Sequence, residues 1–467
     1  MRKKKTRLEL YSLYDHTGIA AHLECMAAQG WLLEKIGTWG WTYRQCEPKQ
    51  VRFAVTYFPK ASAYEAGPSE GELTFRAYCE EAGWILAASS AQLQVFYHED
   101  PNCTPMETDA PTQVENIHEA GKKTFLLSNF LFLGLSIFEI LVVGLTNLTG
   151  NTVKFFTDGN VFFSMFIWCI LLVLSTVELV TYYRWRKKAL RLAEEEERFL
   201  STKSHPWMQA ACLIVVAVGY VLWLLSMQNG GMAVYALIMF AAMMILIAVV
   251  NGTRILLKKL KVSKTANKVI TIAVDVVLAF SLVFGMTYWA VTSGIGRRKP
   301  VDTYEYHGRE REVYADPLPL YVDDLMECDR TDYSCEIVRD NRGLFGWAFI
   351  GFQNGRKDRD GDLPGIWYYV VEVENDWAFE KCWDDRLDAY GGVTTKEEMT
   401  DPWSSGLVAE DPTLWDAEAV YAQYLDQKFT GSRLIRWEDR FVWLELDWEP
   451  TPEQIQIITE KLRQFEP

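Results

Sequence analysis

The chain has 467 residues, of which 49% are hydrophobic and 23% are charged, with 18 Trp and a formal net charge of −15 at pH 7. This length exceeds one ordinary domain, and the apolar composition is typical of a protein of which roughly a third lies in a membrane. Residues 301–467 alone carry 38 acidic and 17 basic side chains. So acidic a region, with no basic aromatic patch elsewhere in the chain, argues against nucleic acid as a partner.

Residues 1–105 are predicted to form a cytoplasmic α+β domain in which a strand–helix–strand–strand unit occurs twice. The pair Gly30-Trp31 recurs as Gly83-Trp84, and each Gly is expected to end a helix. The expected leading strands are Leu8–Leu13 and Val51–Phe58. A duplication predicts two superposable halves, with Trp31 and Trp84 at equivalent points of the core.

Two related halves leave a cleft along their join, and such a cleft is a candidate groove for a small molecule. In element order the domain is similar to the paired modules of small-molecule-binding bacterial effector domains, but a fold alone does not fix a function. The alternative is an interaction or assembly domain in which Trp31, Trp39, Trp41 and Trp84 only build the core. The composition favours this alternative, since large aromatic side chains usually lie in cores.

Five stretches of the sequence carry a family resemblance. Residues 26–37, 57–60 and 79–84 resemble the N-terminal domain of the bacterial membrane-protein family catalogued as domain of unknown function twenty-eight-twelve. Residues 313–320 and 450–454 resemble the outer domain of its longer members, so that the likeness would extend over nearly the whole chain. The resemblance implies a Gram-positive bacterium, a plasma-membrane location and genes that often lie beside PadR-type transcriptional regulators. It implies no catalytic residues.

Residues 106–123 are polar and contain Pro111, so they are predicted to form a linker. Within 124–291, five apolar segments follow, each long enough to cross a ~30 Å hydrocarbon core as a helix. The predicted spans are 124–146, 161–183, 207–227, 231–250 and 269–291. They predict a five-span α-helical membrane bundle between the N-terminal domain and a C-terminal domain.

The basic residues beside the spans predict the orientation, because Lys and Arg near span ends are retained in the cytoplasm. With the N-terminus inside, fifteen such residues lie on cytoplasmic flanks and five on outer flanks. The run Arg297–Lys299 is a local contradiction. Five crossings then place the C-terminal domain, 301–467, outside the plasma membrane.

Three acids lie within the predicted spans: Glu139, Glu178 and Asp275. At ~1.5 Å per residue, Glu178 and Asp275 lie roughly 8 and 9 Å from the inner ends of their spans, which predicts one shared depth. A carboxylate in a membrane is costly unless it faces protein or water, and it is therefore a functional candidate. The alternative is structural: both acids lie near enough to the interface to reach headgroups, or they pair with Arg184 or Lys268.

The C-terminal domain is predicted to be α+β. Its expected elements are a hairpin of Leu344–Phe352 with Ile366–Val373, a helix Trp377–Tyr390, a hairpin of Leu434–Trp437 with Phe441–Leu446, and a final helix that Thr451 and Gln454 cap. Asp358, Asp360 and Asp362 suggest oxygen ligands for Ca²⁺, but the loop lacks the closing Glu of an EF-hand. We therefore interpret it as a solvated hairpin tip.

Cys328 and Cys335 would lie outside the cell, where a disulfide can form; two buried thiols are the alternative. The sequence contains no metal-ligand spacing, phosphate loop, nucleophile elbow or kinase motif, so we expect neither a metal, a cofactor nor an enzymatic activity.

The expected partners are the lipid bilayer and a cytoplasmic regulatory protein or small molecule at the N-terminal domain. The favoured function is a membrane-bound sensor or regulatory component that links the outer and cytoplasmic domains. The alternative is a transport or export accessory that uses the intramembrane carboxylates.

Overall fold

A computed structural model describes residues 3–467 apart from 38–39, 108, 197–198, 203–205, 227–229, 294–298, 360–362 and 400–403. Residues of the predictions above that lie outside the described residues are Trp39, Arg297, Arg298, Asp360 and Asp362, together with Arg198 and Lys203, two of the fifteen basic residues counted on cytoplasmic flanks. The chain divides into two compact units. One comprises Met1–Ile137 and Trp168–Ile295, and the other comprises Phe138–Ile167 and Gly296–Pro467.

The N-terminal domain contains the order strand, helix, strand, strand twice. The first set is β1 (Lys4–Arg7), α1 (His16–Ala28), β2 (Trp31–Gly37) and β3 (Gly40–Gln45), and the second is β4 (Arg52–Tyr57), α2 (Glu70–Glu81), β5 (Ile85–Ser90) and β6 (Leu93–His98). Each set forms an antiparallel three-stranded sheet, in the orders β1-β3-β2 and β4-β6-β5. The first leading strand is Lys4–Arg7, so the prediction of Leu8–Leu13 was wrong. In that stretch Glu9 accepts a hydrogen bond from the Tyr43 hydroxyl and Tyr11 packs against His22 and Trp41, without pairing in the sheet.

The two helices end in the same way. Gly30 and Gly83 follow α1 and α2 with φ of +83° and +84°, a left-handed conformation that favours glycine. The two following Trp residues differ, however. Trp31 is half-buried against the main core of the domain, with the Lys5 ammonium 5.6 Å from its ring, whereas Trp84 is buried in a separate small cluster. The prediction of equivalent environments for the two Trp side chains was therefore wrong.

Residues 106–123 contain a helix, α3 (Ala110–Gly121), where the sequence suggested a linker. Val114, Ile117 and Ala120 are buried in the core of the N-terminal domain at helical spacing. Pro111 lies in the first turn of α3, where its missing N–H costs nothing, so this proline begins a helix rather than marking a loop.

Five helices in the described part of the chain are long and apolar enough to cross a membrane, as predicted. They are α4 (Leu127–Leu148), α6 (Gly159–Glu196), α7 (Pro206–Ser226), α8 (Gly230–Lys259) and α9 (Lys264–Ser293), and a short helix α5 (Thr152–Thr157) lies between α4 and α6. A π-helical turn, Lys122–Leu126, joins α3 to α4. The charged segment after the second predicted span is helical and continues α6 as far as Glu196.

The C-terminal domain consists mainly of antiparallel sheet. A hairpin of β7 (Asp302–Tyr306) and β8 (Arg309–Val313) comes first. The elements that follow are β9 (Tyr333–Arg342), β10 (Gly346–Gly355), β11 (Ile366–Val373), α10 (Asp376–Ala389), β12 (Ser405–Glu410), β13 (Ala419–Leu425), β14 (Lys428–Arg436), β15 (Arg440–Leu446) and α11 (Pro452–Arg463). Strands β9 to β15 form one seven-stranded sheet of order β12-β13-β14-β15-β11-β10-β9. Both predicted hairpins, the helix after β11 and the capping box of Thr451 with Gln454 are confirmed.

Two hydrophobic clusters cover the C-terminal sheet. One includes Ile458 and Leu462 of α11, and the other includes Trp383 of α10. Val153 and Phe156 of α5 belong to the second cluster. The segment between α4 and α6 is therefore part of the core of the C-terminal domain.

Candidate functional site at the base of the membrane helices

The segment between β1 and α1 contacts α6 and α7 through an acid that the sequence placed in the membrane. The Ser12 hydroxyl donates to Glu178, at 3.0 and 2.9 Å from its two carboxylate oxygens. Gln209 of α7 donates from Nε2 to the same carboxylate at 2.7 Å and lies 3.3 Å from Ser12 Oγ. Glu178 is thus held by one residue of the N-terminal domain and one of a neighbouring helix.

A second set of hydrogen bonds joins the start of α1 to Thr202, which precedes α7. Asp15 caps α1 by accepting from the Gly18 amide at 3.0 Å, and it also accepts from the Thr202 hydroxyl at 2.7 Å. Thr202 donates its amide to the Thr17 hydroxyl at 2.7 Å, and that hydroxyl donates to the Thr202 carbonyl at 3.0 Å. Asp15 and Thr202 are both buried. The cap of α1 therefore also holds Thr202.

An aromatic cluster fills the space beside these hydrogen bonds. The Tyr14 ring stacks on Trp185 with centroids 5.4 Å apart and meets Tyr182 and Phe125 edge-on at 5.5 and 5.9 Å. His118 of α3 is hydrogen-bonded through Nδ1 to the Tyr182 hydroxyl at 2.7 Å. Tyr14, Tyr182 and Trp185 are buried in the core of the N-terminal domain. The N-terminal domain and the part of α6 around Tyr182 and Trp185 therefore share one core.

Three titratable groups of this junction have shifted pKa values. Burial lowers the pKa of His16, which favours the neutral imidazole. Burial also lowers the pKa of His118, and Arg186 lowers it further. Burial raises the pKa of the Tyr14 phenol, with Glu178 and Asp15 adding to the rise. The junction is therefore assembled from neutral rings around two hydrogen-bonded carboxylates.

A cavity of about 470 Å³ lies between β4, α2 and α3. Its walls include Phe58, Phe75, Glu107 and Gln113. Glu107 accepts a hydrogen bond from the Thr56 hydroxyl, and burial raises the pKa of its carboxyl. The size and the mixture of aromatic and polar walls suit a small ligand. Its walls belong to the second set of strands and to α3, away from the join of the two sets.

The three predicted intramembrane acids differ in exposure and in partners. Glu178 has the partners described above, whereas Asp275 is exposed on α9 and Glu139 is half-buried on α4. Among the described residues, no hydrogen bond or ion pair joins Glu178 to Asp275. A functional role for these acids stays a prediction.

Cys328 and Cys335 are free thiols in the structure, half-buried and buried respectively. Burial raises the pKa of both, that of Cys335 to about 11, so each is protonated at neutral pH. A disulfide between them also stays a prediction.

Sequence reasoning missed the partners of Glu178. Ser12 lies in a stretch that was predicted to be a strand, and Gln209 is a polar residue near the start of an apolar span. An uncharged polar residue at a span end was the one signal available, because such side chains often hydrogen-bond across membrane helices.

The comparisons with known proteins give one result. No curated protein and no solved structure matched the chain. The resemblance at residues 313–320 and 450–454 lies outside the residues that the family model matches, so it stays a prediction. Residues 16–129 match the model of the family described as Protein of unknown function (DUF2812), which confirms for this part of the chain the resemblance that its sequence predicted.

Proposed function

We propose that the protein is a membrane-bound sensor or regulatory component in which α4 and α6 connect a domain outside the cell with a cytoplasmic domain that binds a regulatory protein or small molecule. In this proposal the N-terminus is cytoplasmic and the membrane is the plasma membrane. The excess of Lys and Arg on one set of helix flanks supports this orientation.

The observation that carries the proposal is the packing of α6 at two places along its length. In its second half, Tyr182 and Trp185 are buried in the core of the N-terminal domain. At its start, α6 follows directly after α5, whose Val153 and Phe156 are buried in the core of the C-terminal domain. A rearrangement in either core therefore acts on the helix itself, as coupling through a rigid element requires.

The contacts of Glu178 support coupling over transport. A carboxylate that relays protons needs access to water and a partner to which it passes the proton. Glu178 is instead bonded to Ser12 and Gln209, and Asp275 is exposed on another helix. These contacts are those of a residue that holds a domain against a helix.

Hydrogen exchange of the full-length protein in nanodiscs tests the proposal. Phe156→Ala opens a cavity in the core of the C-terminal domain and should increase exchange in residues 11–18 as well as in β10. The control is Leu414→Ala, because Leu414 is 59% exposed and its truncation leaves no cavity. Faster exchange in β10 with unchanged exchange in residues 11–18 would refute the coupling.

A further inference from the structure

A second, larger cleft lies where the two sets of strands of the N-terminal domain meet the end of α8. It has a volume of about 820 Å³ and is open to solvent. Lys35 and Thr42 line it from the first set, and Ser89 and Ser90 from the second, with residues 248–259 of α8 opposite. This is the join at which the sequence analysis expected a ligand groove.

The lining of this cleft has an excess of positive charge. Its basic residues are Lys35, Arg76, Arg254, Lys258 and Lys259, and its acidic residues are Glu65 and Glu72. Both acids already have ion-pair partners, and none of these partners belongs to α8. Glu65 lies 2.9 Å from the Lys264 ammonium, and Glu72 forms an ion pair with Arg76 and accepts from Gln94 at 3.0 Å. In the described part of the chain, Arg254, Lys258 and Lys259 have no ion-pair partner, so their charges are available to an anion.

The face of α8 in the cleft changes character along the helix. Ala248, Asn251, Ile255 and Lys258 follow one another at intervals of three and four residues, so they share one side. Ala248 lies in the apolar part of α8 and Ile255 is 48% exposed, whereas Lys258 and Lys259 form the last turn. The same surface thus offers apolar side chains at its membrane end and the ammonium groups of Lys258 and Lys259 at the end of the helix.

We propose that this cleft binds the headgroup of an anionic phospholipid. Lys258 and Lys259 bind the phosphate, Asn251 and the hydroxyls of Ser89 and Ser90 lie at the level of the polar headgroup, and Ile255 contacts the start of an acyl chain. Basic pockets beside membrane helices bind such headgroups by charge, and each Lys near an anionic surface contributes to affinity. The apolar end of the surface favours a lipid over free phosphate, since phosphate alone gains nothing from Ile255.

Native mass spectrometry of the full-length protein in detergent tests the proposal, with phosphatidylglycerol and phosphatidylcholine of identical acyl chains as probes. The test variant is Lys258→Gln with Lys259→Gln. The control is Lys187→Gln with Lys188→Gln, which removes the same charge from exposed residues of α6 outside the cleft. We expect the test variant to bind phosphatidylglycerol about tenfold more weakly and the control to bind it as the native chain does. Replacement of both lysines by Arg should retain binding, since the charge is kept.

Three outcomes would overturn the proposal. Equal losses of phosphatidylglycerol binding in the test and control variants would mean that the lipid is attracted to basic residues in general rather than to the cleft. Equal affinity of the native chain for the two lipids would mean that headgroup charge is not recognised. Full competition by millimolar inorganic phosphate would mean that the ligand is a soluble anion.

Discussion

Replacement of Tyr14 by Ala is the sharpest test of the junction between the N-terminal domain and α6. Tyr14 is 2% exposed and its ring contacts Trp185, Tyr182 and Phe125 at centroid distances of 5.4 to 5.9 Å. Truncation of a buried aromatic side chain costs about 3–5 kcal/mol through lost burial and the cavity that remains. We therefore expect Tyr14→Ala to lower the free energy of unfolding of the N-terminal domain by about 4 kcal/mol.

Pulse proteolysis of the full-length protein in nanodiscs, over a urea series, measures this loss from the fraction of N-terminal domain that survives. Tyr78→Ala is the matched control, because Tyr78 is 68% exposed on α2 and its loss should cost less than about 0.5 kcal/mol. Tyr14→Phe keeps the ring and should cost about 1 kcal/mol. Equal midpoints for Tyr14→Ala and Tyr78→Ala would refute the view that domain and helix share one core.

Three further predictions follow from local features. Because the folded state lowers the pKa of His16 below its ordinary value of 6.5, the folded domain binds fewer protons than the unfolded one. The stability of the domain is therefore highest above pH 6.5 and falls as the pH drops below it. Unfolding at pH 5.5 should need less urea than at pH 7.5, and His16→Gln should make this difference smaller. An equal difference in the native protein and the variant contradicts the prediction. Gly83→Ala should destabilise the domain by about 1–2 kcal/mol, since φ is +84° and a Cβ would lie 2.6 Å from His98 Nε2, whereas Gly67→Ala has open space and should be neutral in the same urea assay. In intact cells, a membrane-impermeant maleimide should label Cys328 only after mild reduction and Cys25 only after permeabilisation, and labelling of Cys25 in sealed cells would reverse the proposed orientation.

Much of the fold could be predicted because it depends on local patterns. Apolar length identified the five membrane helices, and the capping residues Thr451 and Gln454 identified the last helix. Gly30 and Gly83 identified the two helix ends, since only glycine adopts their backbone angles readily. These signals are contained within a few residues and need no knowledge of what lies nearby in space.

The junction could not be predicted in the same way, because its contacts join residues that are distant in the chain. Ser12 meets Glu178, and Thr17 meets Thr202, through tertiary packing that leaves no periodic signal in either segment. Helix α3 was missed for a different reason: Pro111, in its first turn, resembled a loop residue. Tertiary contacts, rather than propensity, decide the structure of such short segments.

Helix α6 has 38 residues and, after Gly159, contains neither Gly nor Pro, so it has no built-in hinge. At 1.5 Å per residue it extends about 57 Å, well beyond the ~30 Å of a hydrocarbon core. Phe162 of this helix contacts Phe345, with ring centroids 5.8 Å apart, and Tyr182 of the same helix is buried in the core of the N-terminal domain. One inserted residue would turn one end by about 100° relative to the other, whereas seven or eleven would return it to within about 20°. The tolerance of α6 to changes in length should therefore be periodic, with the helical repeat setting which lengths preserve both sets of contacts.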